Sequence, residues 1–255
     1  MPSLRFLAPA LLALAVGGAP LQASAQSFND TQRGDIETIV RNYLIAHPEV
    51  LEEAMNELSK KQAAAEAEKH QASIAKNADT IFNSPRGVFL GNKDGDVTFV
   101  EFFDYNCGYC KRAMVDMMDL MKADPKLKVV LKEFPVLSQG SVEAAQVAVA
   151  VRMQDPSGKK YLDFHQKLLG GRQAADKARA LAVAKEVGVD MTQLQKDMQS
   201  PEVKATLEEN FKLAEALGLN GTPSYVIGDN VVVGAVGLPQ LEKSISTARC
   251  GKDKC

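Results

Sequence analysis

Two of the four cysteines in this 255-residue chain, Cys107 and Cys110, are separated only by Gly108 and Tyr109 and lie where two kinds of sequence meet. Before them, Val97 to Phe103 is a run of β-branched and aromatic residues, the composition of a buried strand. After them come helix formers with an apolar stripe. A cysteine at a strand-to-helix junction faces unpaired backbone N–H groups and the positive end of the helix dipole, and both favour thiolate over thiol. In such places the thiol pKa falls from about 8.5 into a range of about 3.5 to 7.5. Cys107 has that position. Cys110, one turn deeper, can close a disulfide back onto it. The thiolate is the attacking species in thiol-disulfide exchange, so the spacing points to redox chemistry.

Two plainer readings compete. A structural bridge rarely spans so tight a loop, because so short a ring removes little entropy from the unfolded chain. A zinc site needs further ligands, and the other two cysteines, Cys250 and Cys255, lie in the tail with a wider gap. No metal or other cofactor is therefore expected. The tail pair most simply forms a local bridge.

With 45% hydrophobic residues the chain can bury a full core and carry an appendage. Its net charge of −2 leaves no basic footprint, which argues against nucleic acid as a partner. Residues 1–25 have Arg5, an apolar run from Phe6 to Val16, breakers at Gly17, Gly18 and Pro20, and Ala23-Ser24-Ala25. That is the pattern of a secretory signal peptide cut after Ala25, and it predicts an exported, periplasmic protein. The run is too short for a stable membrane anchor. Disulfides persist in such compartments, which suits an even number of cysteines.

The elements that must position the cysteines follow in order. Residues 26–83 read as a helical arm. Asn29 and Gln32 resemble a capping box; Ile36, Ile39, Val40, Tyr43 and Leu44 share a face; Pro48 separates a second helix striped by Val50, Leu51, Ala54, Met55 and Leu58. From Lys61 to Ala75 the stripe thins to alanines, so the arm needs a partner, and oligomerisation is favoured over an arm folded back on its own domain. Residues 84–249 read as an α/β domain. Val88 to Leu90 is a short strand expected to form a hairpin with the strand at Val97. Cys107 to Ala123 is a helix and Leu127 to Phe134 a second, parallel strand of a βαβ unit. Residues 138–217 are a helical insertion, Ser224–Ile227 and Val231–Val233 a hairpin, and Leu238–Ala248 the last helix, before a tail at 250–255.

The stretch Phe102-Phe103-Asp104-Tyr105-Asn106-Cys107-Gly108-Tyr109-Cys110-Lys111 and the stretch Gly221-Thr222-Pro223-Ser224-Tyr225-Val226-Ile227-Gly228, with helices inserted between them, resemble the active-site and cis-proline segments of the DsbA family of the thioredoxin-like fold. The arm before the domain resembles that of ScsC-type members. The resemblance implies Cys107 as an exposed nucleophile, Cys110 as the buried resolving cysteine, and Pro223 as a cis-proline lying against the disulfide. It also implies that the Thr222 backbone pairs with an extended substrate segment, and that the arm oligomerises. Glu101 stands where thioredoxin-like folds place a buried acid that exchanges a proton with Cys110; Lys132 is a weaker candidate for its partner. Gly108-Tyr109 replaces the Pro-His of strong oxidants and is similar to the dipeptide of the disulfide isomerase DsbC, which implies a weaker oxidant. The activity implied is exchange of disulfides with unfolded or misfolded exported proteins, leaning to isomerase or reductase, with a membrane redox partner. Other readings are a non-catalytic holdase and a copper-handling protein. His47, His70 and His165 read as surface or packing residues.

Overall fold

A computed structural model of the chain describes residues 28–255. The expected signal peptide and its cleavage point lie outside these residues. Among them no helix is long and apolar enough to cross a membrane.

The chain divides into two compact units, the first ending at Leu58 and the second running Ser59–Cys255. In the first, α1 (Asp30–Ala46) starts at a capping box. The Asn29 side chain accepts from the Gln32 N–H at 2.9 Å, and the Gln32 side chain accepts from the Asn29 N–H at 3.0 Å. His47 closes the helix, and Pro48 leads into α2 (Glu49–Phe82). No residue of α1 is buried, and Ile36, Ile39, Val40 and Tyr43 stand exposed, as do Leu51, Met55 and Leu58 at the start of α2.

The second unit takes in the rest of α2, which departs from an arm reaching residue 83. Although residues 61–75 are mostly alanine and charge, Ile74 and Ile81 are 4% and 0% exposed and pack with Val100, Phe102, Val130 and Leu213. Two isoleucines seven residues apart occupy one helix face, and that is enough to bury it.

A five-stranded sheet fills the centre of this unit: β1 (Val88–Gly91), β2 (Val97–Phe103), β3 (Leu127–Glu133), β4 (Ser224–Ile227) and β5 (Asn230–Val233), in the order β1-β3-β2-β4-β5. β2 and β3 are parallel and joined by α3 (Gly108–Ala123); β4 runs antiparallel to β2 and forms a hairpin with β5. The expected β1–β2 hairpin does not form. β1 pairs antiparallel with β3 instead. Both edges of β2 are taken, one by β4 and one by β3, which the βα-crossover lays beside it. Gly91, at φ +68°, turns the chain away, and the Asn92 and Asp96 N–H groups bind the carbonyls of Leu127 and Lys126 at 2.9 and 3.1 Å, carrying it past the start of β3.

The helical insertion comprises α4 (Gln139–Met153), α5 (Lys159–Leu169), α6 (Lys177–Glu186), α7 (Met191–Asp197) and α8 (Pro201–Ala216), and α9 (Leu238–Cys250) follows the hairpin. Alternation along β2 divides the core. Phe99 and Phe103 pack with α3 and α5 on one face; Val100 and Phe102 pack with α2 and α8 on the other. Cys250, the last residue of α9, is joined to Cys255 in a disulfide.

If the second half of α2 belongs to the core, Ile81→Ala destabilises the protein by about 2–5 kcal/mol. Chemical denaturation followed by circular dichroism checks it; an unchanged midpoint would return these residues to a free arm.

Candidate active site

β2 delivers the site. Its last residue, Phe103, is fully buried, and the next, Asp104, stops the strand with its side chain. Asp104 Oδ2 accepts from the N–H groups of Val136 and Leu137 at 2.9 and 3.0 Å, and Oδ1 from that of Asn106 at 2.8 Å. The Asn106 amide in turn matches both backbone groups of Ala175, donating to its carbonyl and accepting from its N–H, each at 2.8 Å. The turn into α3 is thus held from β3's exit on one side and from the insertion on the other.

Cys107 is the N-cap of α3, with extended backbone (φ −82°, ψ 111°), and its sulfur accepts from the Cys110 N–H at 3.2 Å. The same sulfur lies 3.3 Å from the carbonyl of Thr222, whose peptide bond to Pro223 is cis. Both cysteines are free thiols. Cys107 is only 5% exposed and Cys110 0%, so the exposed nucleophile implied by the resemblance is largely covered in this dithiol form. An N-cap side chain turns back over the first turn to reach its donor, and here that movement also presses it against Thr222. Tyr109 stands out from the pair at 61% exposure, with the Arg112 guanidinium 5.1 Å from its ring centre. Beside Gly108 there is open space.

The two thiols share a proton unequally. The Cys107 thiol is lowered to about 6, chiefly by a hydrogen bond from the Cys110 thiol. Thr222 and the N–H groups of Cys110 and Tyr109 add to this, against the opposing effect of burial. The Cys110 thiol is pushed far above its ordinary range, first by that bond and then by burial. Cys107 is therefore the thiolate at neutral pH, and Cys110 holds the proton.

Glu101 lies on β2, 1% exposed, with Oε2 lacking any partner. Burial first, then the negative charges of Cys107 and Asp116, push its carboxyl up to about 8. Lys132 is not its partner. Lys132 pairs in register with Phe102, one residue along from Glu101, and so points to the opposite face. There its Nζ donates to the Thr80 carbonyl at 2.8 Å and approaches Glu209 at 3.7 Å. The residue directly across from Glu101 is Tyr225 on β4, whose hydroxyl is buried and also unpartnered.

The sequence reading missed this tyrosine and a second buried acid. Glu133, at the end of β3, is bonded by the hydroxyls of Tyr105 and Tyr161, and burial raises its carboxyl to about 8. His165 packs in the same region with its ring 4.6 Å from that of Phe103; burial lowers it to about 3, so it stays neutral. Asp104 and Asn106 are common turn formers, but partners 32 and 69 residues away leave no local trace. Among the described residues no group of three or more His, Cys, Asp or Glu side chains could hold a metal ion.

The DSBA-like thioredoxin domain family matches residues 98–246, which spans the sheet from β2 onward, both cysteines and the cis-proline. The chain belongs to that family. Residues 32–65 match a second family, the copper resistance protein ScsC N-terminal domain. A thioredoxin-like oxidoreductase from Silicibacter pomeroyi is 47% identical, with a TM-score of 0.64 over 67% of this chain and 96% of that one. A linker-deleted ScsC from Proteus mirabilis is 28% identical (TM-score 0.65, 88% and 98% covered), and α-DsbA2 from Wolbachia pipientis, a thiol-disulfide exchange protein, is 29% identical (0.66, 71% and 97%). Among curated relatives, the chain spans only a quarter of a Na⁺/H⁺ antiporter NhaA of Herminiimonas arsenicoxydans, at 25% identity over 162 residues. It spans 68% of the thiol:disulfide interchange protein DsbA of Bordetella pertussis, also at 25%.

A carboxyl that keeps its proton to about pH 8 when folded, against 4.5 ordinarily, binds more protons in the native state across that window, so its contribution to stability falls as pH rises. Glu101→Gln removes the loss. The dithiol variant should gain on the parent by up to about 1.4 kcal/mol per pH unit through that window and level off above it. Urea denaturation at several pH values under reduction measures the gap; a constant difference would show Glu101 ionised throughout.

Proposed function

We propose that this protein is an exported thiol-disulfide oxidoreductase that exchanges disulfides with unfolded or misfolded proteins through Cys107 and Cys110, leaning to isomerase or reductase rather than strong oxidase. The observation that carries this reading is the pair at the start of α3: two free cysteines three residues apart, with the Cys107 sulfur accepting the Cys110 N–H at 3.2 Å, an arrangement that lowers the Cys107 thiol and raises the Cys110 thiol.

As reductase, the Cys107 thiolate attacks a substrate disulfide, forming a mixed disulfide and releasing one substrate thiolate. Cys110 then loses its proton and attacks the Cys107 sulfur, which releases the second substrate thiol and leaves the Cys107–Cys110 disulfide. Glu101, on the strand leading to the pair, is the group we assign to take that proton. As isomerase, a different substrate thiol resolves the mixed disulfide and the protein ends unchanged. As oxidase, the steps run in reverse. A Cys107 pKa of about 6 makes the thiolate abundant without the extreme depression, to about 3.5, of the strong oxidant DsbA, and this supports the lean.

Thr222 lines the sulfur through its carbonyl, so an extended substrate segment pairing beside Thr222 and Pro223 would bring its own sulfur alongside Cys107. The exposed apolar residues of α1 and the start of α2 support homo-oligomerisation through the arm, in keeping with the ScsC N-terminal family matched there. Export through the residue 1–25 signal, a periplasmic location and a membrane partner that resets the redox state complete the proposal. A related Salmonella structure is itself described as periplasmic.

In the mature protein, Cys107→Ser should abolish insulin reduction and scrambled-ribonuclease refolding, while Cys110→Ser should accumulate mixed disulfides with its substrates. A holdase would lose nothing on either change, and full activity of the Cys107 variant would overturn the proposal. The equilibrium potential of the pair in glutathione buffers should fall near or below about −180 mV; a value near −120 mV would mark a net oxidant.

A further inference from the structure

Cys107 opens onto a groove whose far wall comes from the helical insertion. Asn106 and Lys111, on either side of the cysteine pair's first residue, both reach across it: Asn106 to Ala175, and Lys111 Nζ to the Gly171 carbonyl at 2.8 Å. These bonds hold residues 171–175 beside the sulfur, and Arg172 and Gln173 line the groove together with Cys107, Gly108 and Lys111. Arg112 stands just outside, over the ring of Tyr109.

Two cations, Lys111 and Arg172, thus line the groove that Cys107 lines, and a third, Arg112, stands at its edge, in a chain whose net charge is −2. Among the described residues none of Lys111, Arg112 and Arg172 is in an ion pair, although Arg86, Arg152 and Arg249 all are. Asp116, four residues along α3 from Arg112, is the nearest acid, and its charge interacts with that guanidinium without forming an ion pair; the other two acids nearby are held elsewhere. Asp104 is buried against three backbone N–H groups, and Asp176 caps α6 through the Arg179 N–H at 2.8 Å. Cations left unpaired around a groove create a local positive potential, and that potential raises encounter rates with segments of the opposite sign.

We propose that Lys111, Arg112 and Arg172 make this site selective for polypeptide segments that carry aspartate or glutamate next to the reacting cysteine. The proposal rests on the oxidoreductase reading above and names the substrate class of the same site. Lys111 also acts as a brace, because its ammonium keeps the Gly171 end of the wall in place, and it lines the groove as well. Arg172 supplies the charge on the insertion side, and Arg112, resting on Tyr109, supplies it on the α3 side. Chains with basic residues around their cysteines are disfavoured by the same field.

The test uses the mature protein in its dithiol form and two short peptides, each with one cysteine held in a mixed disulfide with a chromogenic aromatic thiol. The peptides differ only in having aspartates or lysines beside the cysteine. Cys107 attacks the peptide sulfur and the aromatic thiolate leaves. Cys110 then attacks Cys107, freeing the peptide thiol and oxidising the pair, so two electrons pass from the protein to the mixed disulfide. Rates are divided by those of dithiothreitol with the same peptides, which removes their intrinsic difference in reactivity. The acidic peptide should react about tenfold faster than the basic one at low ionic strength, and the ratio should fall towards unity at about 0.5 M salt. The double variant Arg112→Glu, Arg172→Glu should reverse the preference. Equal normalised rates for the two peptides, a ratio that salt does not change, or a double variant that keeps the parent's ratio would each overturn the inference. The salt series on the parent decides it even if the variant does not fold. Equal rates would leave the oxidoreductase reading intact, whereas failure to react with either peptide would overturn both.

Discussion

A sulfur accepting one backbone N–H at the first turn of α3 sets the terms for everything built around it. A helix N-terminus has N–H groups with no intrahelical partner, and an oxygen side chain usually satisfies one of them. Here a thiol takes that place, and the helix that needs a cap is also the environment that ionises it. The arrangement works only if the chain enters the helix at a fixed angle. β2 enforces that angle by lying in the middle of the sheet, paired on both edges, with Phe103 buried up to the turn. Asp104 and Asn106 complete the constraint with bonds to β3's exit and to the insertion.

Beneath that turn the protein keeps charges and protons that an apolar core would not need. Glu101, Glu133 and Lys132 are all almost fully buried, and burial is the first cause of the shift in each. They are handled differently. Lys132 donates to a backbone carbonyl and approaches a glutamate, and Glu133 is bonded by two tyrosine hydroxyls at one oxygen, so each has hydrogen-bond partners. Glu101 keeps an unpartnered oxygen below the cysteine pair. Buried polar atoms without partners cost stability, and proteins tend to retain them where a group must change state.

The two compact units divide the labour by burial. The second has two packed layers over its sheet and the cysteine pair at one end of its central strand. The first has a capped helix with no buried residue and a row of apolar side chains in contact with water. Helices of this kind draw most of their stability from packing an apolar face. The first unit therefore leaves an apolar face exposed, while the second carries a full core of its own.

Local elements and the identity of the chemistry were legible in the order of the residues. Val97–Phe103 as a strand, the helix beginning at the cysteines, the capping box at Asn29 and the closing hairpin all follow from short-range composition, period and turn signals, which act within a few residues of one another. The cysteine spacing and the Thr222-Pro223 motif carried the family for the same reason: each is contiguous in the chain. Whatever depends on neighbours distant in sequence was left to the folded molecule. Folding inserted β3 between β1 and β2, because the crossover had to place β3 beside β2. It drew Ile74 and Ile81 of α2 into the core, turned Lys132 away from Glu101 through the one-residue offset in strand register, and set Tyr225 opposite Glu101 instead. It also covered Cys107 with Thr222 and latched the insertion to Asn106 and Lys111. Each of these is a contact between segments whose individual sequences hold no record of the other, so only packing could choose them.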